Sequence, residues 1–546
     1  MLTHRKLLFI ALLFLLPLNA YASNHVDEDD SSIVDWSRTY GGAGIDVGLS
    51  MQRTKDGGYV ISGYTDSFGA SNYDVYLLKT DSEGNLIWNK TYGGAHSDLG
   101  YSVQETSDGG YVIAGYTRSF GNKDDDVYLI RVDSEGNELW SRTYGIQGTT
   151  NNVEWGYSVQ QTSDGGYIIA GRTNSSDRGE KDLDDVYLLK TDAEGNLIWN
   201  KTYGGDRSDE GHSVLETSDG GYVIVGETSS FGERATDVYL IKIDSEGNEI
   251  WSRTYGDIEG DERGYSVQET SDGGYIVAGM SWPLEQQNPD FYLLKADSDG
   301  KKLWSRSYTG PDGHWSWDWG RSVLETGEGG YILIGETYSE VEQDQGVLLV
   351  KTDSLGNLLW SRTYGGADHE YGYSILETGD GGYVIAGKTK SFGAGEYDVY
   401  IVKTKPLPVS VSISCQASVD TVRMGEGETI SGKVAPPIAG IKIALTYTRP
   451  DGFKITRDVE TDGEGIFRDR YVLDVPGVWN ASPSIEDDVH YTTAGSSQVS
   501  FTVKEAPRQP LHLYGSIAAI ATIIILGVWL LLWKRDNVFP MMRRRD

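Results

Sequence analysis

An acidic side chain stands two residues before the glycine that opens the first predicted strand of each of seven repeats. The positions are Asp46, Asp98, Glu154, Asp209, Glu262, Asp318 and Glu370. Seven carboxylates close together would repel one another unless cations or hydrogen bonds neutralise them. One hypothesis is therefore a Ca²⁺ site, since calcium prefers several oxygen ligands. The other is that each acid fixes its own turn through backbone N–H groups, and sevenfold recurrence favours this one.

Tryptophan is concentrated in one loop with the sequence HWSWDWG. Exposed tryptophans supply flat contact area for a glycan or a protein. The candidate ligand-binding residues are therefore His314, Trp315 and Trp317, with Trp155 and Trp282 on the same predicted face. The alternative is that these rings pack over the end of the fold.

Motifs for catalysis are missing from the sequence. It contains neither HExxH nor GxSxG, and histidines are few. The many acids could include a glycosidase pair, but sequence cannot reveal the separation that such a pair needs. The prediction is therefore that the protein is not an enzyme and has no cofactor, with Ca²⁺ possible.

The elements that position these residues come from a repeat. The phrase [DE]GGY begins at seven positions with a mean period of about 54 residues, which is typical of a propeller or a solenoid. Each copy contains four short runs rich in Val, Ile, Tyr and Trp, separated by Gly, Asp and Asn turns. Four antiparallel strands for each repeat are the content of one propeller blade.

The position of the tryptophan strand predicts how the repeats close. Trp36 precedes the first GGY, whereas the last repeat ends at DVYIVKTK without a tryptophan strand. Joining the two completes blade seven and covers open sheet edges. The sequence therefore predicts an all-β seven-bladed β-propeller over 33–405. The loops on one face vary strongly from blade to blade, which makes that face the predicted binding face.

The run KTDSEGNLIWNKTYGG (79–94) resembles the tryptophan-motif repeat of quinoprotein-type propellers, and whole repeats resemble those of large surface proteins of archaea and bacteria. This resemblance implies the fold but no cofactor site, and it implies that the seven recurrent tryptophans pack blade against blade. Residues 409–504 contain alternating strand patterns that resemble prokaryotic Ig-like domains, which implies a β-sandwich.

The two ends of the chain predict a membrane-anchored surface protein. Residues 1–22 have the features of a signal peptide, and 505–512 form a short stalk. Residues 513–533 carry no charge and at ~1.5 Å for each residue would extend roughly 32 Å, enough for a transmembrane helix. The basic residues in 534–546 predict a cytoplasmic tail and an ectodomain outside the cell.

Composition limits the partners. The net charge of −34 argues against nucleic acid, and the single cysteine, Cys415, excludes an intrachain disulfide. Potential glycosylation sites occur at Asn89, Asn174, Asn200 and Asn480. The favoured function is a surface protein whose propeller binds a glycan or another surface protein. The alternatives are a glycan-active hydrolase or lyase and a structural component of the cell envelope.

Overall fold

The computed structural model describes residues 33–536 except for several loops, namely 71, 122–124, 147–151, 175–182, 233–234, 257–259, 284–287, 311–315, 328, 340–343, 486–489 and 506–511. The signal peptide predicted at 1–22 lies outside these residues. In the described part, the regular structure is a series of strands followed by one helix. The fold is all-β, as predicted.

Seven four-stranded antiparallel sheets follow the repeat through the described residues. Their strands are, in chain order, β1 Val34–Tyr40, β2 Asp46–Arg53, β3 Tyr59–Thr65, β4 Asp74–Thr80, β5 Leu86–Tyr92, β6 Asp98–Glu105, β7 Tyr111–Thr117, β8 Asp126–Val132, β9 Glu138–Tyr144, β10 Glu154–Gln161, β11 Tyr167–Thr173, β12 Asp185–Thr191, β13 Leu197–Tyr203, β14 Asp209–Glu216, β15 Tyr222–Thr228, β16 Asp237–Ile243, β17 Glu249–Tyr255, β18 Asp261–Glu269, β19 Tyr275–Trp282, β20 Asp290–Ala296, β21 Lys302–Tyr308, β22 Ser316–Glu325, β23 Tyr331–Ser339, β24 Asp344–Thr352, β25 Leu358–Tyr364, β26 Glu370–Glu377, β27 Tyr383–Thr389 and β28 Asp398–Thr404. Blades one to six are β2–β5, β6–β9, β10–β13, β14–β17, β18–β21 and β22–β25.

The first strands of the blades form a ring around a central channel. Each of β2, β6, β10, β14, β18, β22 and β26 contacts the next, and β26 contacts β2. A serine hydroxyl links the neighbouring strands. Ser50 Oγ accepts the amide of Val103 at 3.3 Å, and Ser374 Oγ accepts the amide of Met51 at 3.3 Å across the closing junction. This closed ring of sheets is the arrangement of a β-propeller.

Blade seven takes its outermost strand from the beginning of the propeller. Strand β1 pairs antiparallel with β28, with Trp36 opposite Lys403 and Tyr40 opposite Val399. The pairing covers the edge of β28, which would otherwise present unpaired N–H and C=O groups. The predicted closure by the N-terminal strand is confirmed.

The recurrent tryptophans pack between blades, as the resemblance implied. Trp88 in β5 meets Tyr111 of blade two edge-on, with ring centroids 6.0 Å apart. On the same strand Tyr92 donates from its hydroxyl to the carbonyl of Gly136, 2.6 Å away in the next blade. Strands two and three between these contacts are buried on both faces, which explains why their sequences are continuous apolar runs.

The Asp-Gly-Gly turn between strands one and two is built around a buried cation. In blade four Gly220 has a φ of 84°, which suits glycine, and Asp219 accepts the amide of Gly221 at 3.2 Å. Lys242 on strand three is 3% exposed, and its Nζ lies 2.6 Å from Asp219 Oδ1. The same ion pair recurs as Lys79–Asp56, Arg131–Asp108, Lys190–Asp164, Lys295–Asp272 and Lys403–Asp380.

Two further sheets pack face to face after the propeller. Their strands are β29 Val409–Ala417, β30 Thr421–Arg423, β31 Gly427–Ala435, β32 Lys442–Thr448, β33 Lys454–Glu460, β34 Ile466–Val472, β35 Gly477–Ile485, β36 Tyr491–Ser496 and β37 Val499–Lys504. One sheet has the order β34-β31-β29-β36 and the other β30-β37-β35-β32-β33. Both contribute to one core that includes Trp479 and Phe467. The Ig-like identity of this sandwich stays a prediction.

The helix α1 (His512–Asp536) contains the stretch predicted to cross the membrane. Within the described part of the chain, no helix meets the combined length and apolarity that a membrane span requires.

Candidate functional site

The first strand of every blade contains a β-bulge that turns one side chain into the central channel. In β14, for example, Gly211 pairs with Gly226 and Ser213 pairs with Val225, so His212 between them is left unpaired. Bulges re-aim side chains and are common beside functional sites. The bulged residues of the seven blades are Leu49, Tyr101, Tyr157, His212, Tyr265, Arg321 and Tyr373. We call these seven residues the channel ring.

Neighbours in the channel ring touch one another. The ring centroid of Tyr157 lies 5.3 Å from that of Tyr101 and 5.3 Å from that of His212. His212 lies 5.2 Å from Tyr265, and the guanidinium of Arg321 lies 4.8 Å above the Tyr265 ring. The channel wall is therefore chemically diverse, although the strands that form it are copies of one repeat.

Carboxylates and cations surround His212 in the channel. Arg172 Nη1 lies 3.0 Å from Asp184 Oδ2 and 3.0 Å from Glu210 Oε1. Glu227 lies on the other side, with Oε2 3.5 Å from His212 Nε2 and Oε1 3.3 Å from Arg263 Nη1. We call Asp184, Glu210 and Glu227 the carboxylate cluster.

The surroundings shift the pKa values of two of these carboxyl groups in opposite directions. Burial raises the pKa of Asp184, with a further contribution from Glu210 and opposition from Arg172. Burial also acts on Glu227, but the nearby His212, Arg263 and Arg172 outweigh it and lower the pKa of Glu227. Two carboxyl groups whose pKa values are shifted apart in this way are the kind of pair that general acid–base catalysis uses.

A cavity of about 280 Å³ opens between blades five and six beside the carboxylate cluster. Its wall is formed by Asp261, Arg263, Tyr265, Met280, Trp282, Pro289, Trp317, Trp319 and Arg321. The rings of Trp282 and Trp317 lie 5.7 Å apart with an interplanar angle of 53°. We call this cavity the tryptophan pocket. Because Arg263 lines the pocket and also contacts Glu227, the pocket and the carboxylate cluster are contiguous.

The structure separates the tryptophans predicted to bind a ligand. Trp282 and Trp317 share the tryptophan pocket, whereas Trp155 lies in the wall of blade three. There Trp155 stacks on Tyr116 at 4.8 Å, lies under the Arg172 guanidinium at 4.1 Å and donates from Nε1 to Asp125 at 3.0 Å. His314 and Trp315 lie outside the described residues.

The predicted acid ring occupies the start of the first strands, and its members are buried. Asp98 is representative, because it accepts hydrogen bonds from Thr117 Oγ1, from Ser119 Oγ at 2.7 Å and from the amide of Gly94 at 2.8 Å. These contacts agree with the hypothesis that each acid fixes its own turn by accepting hydrogen bonds. In the described residues no group of three or more His, Cys, Asp or Glu side chains is arranged to hold a metal ion.

The candidate glycosylation sites differ in their surroundings. Asn89 and Asn200 are exposed on the outer strands β5 and β13. Asn174 accepts the amide of Val153 at 2.8 Å, and Asn480 accepts the Ser500 hydroxyl at 2.6 Å. Glycosylation at all four stays a prediction.

Sequence reasoning missed the channel ring and the carboxylate cluster. They could have been found from two positions at which the residue type changes from repeat to repeat, although the rest of the strand is constant. After the glycine of strand one the repeat reads Leu, Tyr, Tyr, His, Tyr, Arg and Tyr, and after the Ala-Gly or equivalent pair of strand two it reads Tyr, Tyr, Arg, Glu, Met, Glu and Lys.

Comparison with known proteins yields distant similarities. No protein-family model matches the chain, so the resemblance to tryptophan-motif propellers stays a prediction. Among curated proteins, a segment is 27% identical over 164 residues to regulatory protein FlaEY of Caulobacter vibrioides. The match covers 27% of this chain and 17% of that protein.

Among solved structures, the extracellular domain of a one-component system from B. thetaiotaomicron is 10% identical with a TM-score of 0.36, covering 87% of this chain and 60% of that one. The α-L-arabinanase of Penicillium chrysogenum is 11% identical with a TM-score of 0.37, covering 56% and 92%. The polysaccharide lyase Uly1 is 12% identical with a TM-score of 0.39, covering 67% and 91%. Similarity at this level carries no information on substrate.

The presence of glycan-active enzymes among these structures corrects the prediction that the protein is not an enzyme. That prediction relied on the absence of local motifs. In a propeller, acids from different blades can lie near enough to influence one another, as Glu227 influences Asp184, and their spacing in sequence forms no motif.

Proposed function

We propose that this protein is a glycan hydrolase whose substrate is bound at the mouth of the propeller channel, across blades three to six. The observation that carries the proposal is the continuity between the tryptophan pocket and the carboxylate cluster through Arg263, which lines the pocket and lies 3.3 Å from Glu227. A sugar ring against Trp282 and Trp317 would lie beside ionisable carboxyl groups.

The chemistry of the site suits cleavage of a glycosidic bond. A glycosidase uses one carboxylic acid to protonate the leaving oxygen and one carboxylate to activate water or attack the anomeric carbon. Asp184, whose pKa is raised, has the role of the acid. Glu227, whose pKa is lowered, has the role of the ionised carboxylate. The C–O bond breaks and the proton of Asp184 passes to the leaving oxygen. Water supplies the new hydroxyl group on the anomeric carbon, and its other proton passes to a carboxylate of the pair.

A second candidate is glycan binding without cleavage. It is favoured by the ion pairs themselves, because Arg172 holds Asp184 and Glu210 while Arg263 holds Glu227. Carboxylates engaged in this way also stabilise a channel wall and orient hydroxyl groups of a bound sugar.

The test is a screen of the chain against a panel of polysaccharides, with reducing ends and unsaturated products both measured. Hydrolysis should be found, and Asp184→Asn and Glu227→Gln should each lower kcat by at least about 100-fold, the usual contribution of a general acid or base. Glu138→Gln, which changes an exposed acid on the outer strand β9, is the matched control and should retain activity.

Three outcomes would redirect the assignment. Binding without product would favour the second candidate. Unsaturated products would indicate a lyase, and no interaction with any glycan would favour a structural role in the envelope. The location of the protein at the cell surface remains a prediction from the sequence, which fractionation of membranes with protease protection would test.

A further inference from the structure

Buried acids are paired at the junctions between blades. A Cβ placed on Gly93 would lie 2.0 Å from Asp74 Oδ1 and 2.7 Å from Asp98 Oδ2, so the two carboxylates adjoin this glycine from neighbouring blades. The protein itself satisfies this pair. Asp98 accepts hydrogen bonds from Thr117 and Ser119, and Asp74 accepts the amide of Ala70 at 2.6 Å.

The hydroxyl at the end of strand two is a regular part of these junctions. It donates to the strand-one acid at six of them in the described residues, as Thr65–Asp46, Thr117–Asp98, Thr173–Glu154, Thr228–Asp209, Ser281–Glu262 and Thr389–Glu370. The six donors explain why those carboxylates tolerate burial.

The junction between blades five and six departs from this pattern. The equivalent hydroxyl, Thr337 Oγ1, has no hydrogen-bond partner among the described residues, although Thr337 is only 5% exposed. In the part of the chain that the structure describes, Asp290 Oδ1 also has no hydrogen-bond partner, and Asp290 is 2% exposed. Unpaired buried oxygens are costly, and an ordered water or an ion is a group that can satisfy them.

Asp318 lies beside both of these residues. The amide of Asp318 donates to the carbonyl of Pro289 at 2.9 Å, which sets Asp318 beside Asp290. A Cβ on Gly310 would lie 2.5 Å from Thr337 Oγ1 and 2.6 Å from Asp318 Oδ1. Burial together with the charge of Asp318 raises the pKa of Asp290 to about 7. The pair of carboxylates is thus electrostatically unfavourable without a counter-charge.

We propose that Asp290, Asp318 and Thr337 form a binding site for a single divalent cation, of the Ca²⁺ type, at the junction of blades five and six. Two carboxylates and a hydroxyl are oxygen ligands of the kind that Ca²⁺ prefers, and water or backbone carbonyls supply the remaining positions. The cation neutralises the buried acids and occupies the place of the missing hydrogen bonds.

The site lies next to the tryptophan pocket. Pro289 precedes Asp290, and Trp317 and Trp319 flank Asp318, and all three of these neighbours line the pocket. The cation therefore fixes the pocket wall. This inference goes beyond the proposed function and does not depend on it, because cation binding is measured without any glycan.

The experiment titrates CaCl₂ alone into the chelator-treated full chain at constant ionic strength, by calorimetry and by thermal melting. We expect one ion for each chain and a rise in Tm. Asp290→Asn and Thr337→Val should each weaken Ca²⁺ binding by at least tenfold. Asp74→Asn, at the satisfied junction of blades one and two, is the matched control and should bind as the unaltered protein does.

Tb³⁺ provides a second readout, because energy transfer from Trp317 and Trp319 would sensitise its emission at this junction, and Asp290→Asn should remove that emission. Asp290→Asn removes one of two repelling carboxyl groups, so in chelator it should melt no lower than the unaltered protein. A loss of binding therefore cannot be ascribed to unfolding. The proposal is overturned if Ca²⁺ leaves the Tm unchanged, or if Asp290→Asn binds the ion at full affinity.

Discussion

At the scale of single residues, the candidate site is concentrated at positions whose residue type differs from repeat to repeat. The bulged residue of strand one has no partner in strand two, so the strand pairing does not restrict its side chain, and His212, Tyr265 and Arg321 occupy equivalent places. Seven equivalent strands thus carry a non-equivalent channel wall. The aromatic residues above it are of two kinds, since Trp282 and Trp317 line a cavity whereas Trp155 is enclosed by its neighbours.

This difference makes a prediction about the tryptophans. Replacing Trp282 and Trp317 together by Ala should weaken glycan binding by about 2 kcal/mol or more while Tm changes little, because rings that line a pocket contribute mainly to binding. Trp155→Ala should do the reverse and lower Tm, since it removes the stack on Tyr116 and the hydrogen bond to Asp125. Calorimetric titration and melting of the same samples separate the two effects, and equal loss of Tm in both variants would contradict this assignment.

At the scale of elements, the aspartate of the Asp-Gly-Gly turn forms an ion pair with a lysine that is buried in the blade. Asp219 is mostly exposed, with 64% of its side chain accessible, but the Lys242 that it neutralises has only 4% accessible. Burial opposes ionisation of Asp219, yet the hydrogen bonds from Lys242 and Thr217 outweigh burial and lower the pKa of Asp219 from 3.8 to about 2. Asp56, Asp164, Asp272 and Asp380 have the same pKa of about 2.

The turns therefore predict a specific response to acid. Because the folded-state pKa lies below the ordinary value, the ion pairs stabilise the fold fully above about pH 5, and this contribution is lost as the pH falls through 3.8 toward 2. Asp219→Asn should reduce the free energy of unfolding at pH 7 by about 1–2 kcal/mol, a range discounted for solvent screening of the exposed carboxylate. Urea unfolding between pH 2 and 7 measures both effects, and the variant should lose less stability on acidification than the unaltered protein.

At the scale of the whole molecule, the propeller is a ring held shut by one strand. The pairing of β1 with β28 and the contact of Trp36 with Tyr59 join the two ends of the repeat array. Removing residues 23–42 should therefore expose the edge of blade seven and cause aggregation or a fall in Tm of several degrees or more. Removing only 23–32, which precede β1, is the matched control. A ring that melts normally without β1 would mean that the closing strand is dispensable.

Sequence and structure agree best where a pattern repeats. The number of strands, the residues of the turns and the closing role of Trp36 follow from spacing alone. Each depends on a local sequence pattern that recurs in seven copies. The site follows only in part. Trp282 and Trp317 could be predicted from unusual loop content, but the meeting of Arg263 with Glu227, or of Asp290 with Asp318, depends on how adjacent blades are set against each other. No local pattern encodes that placement.

The closing strand also determines the order in which the molecule can be completed. Residues of β1 pair with partners about 370 positions later, so this contact has one of the largest sequence separations in the ring. During synthesis Val34–Tyr40 must wait, unpaired, until β28 has been made. Loop closure over such a length is slow relative to the formation of single blades. Until then β1 has no partner strand in its own chain. In this state, pairing of β1 with another nascent chain competes with closure of the propeller.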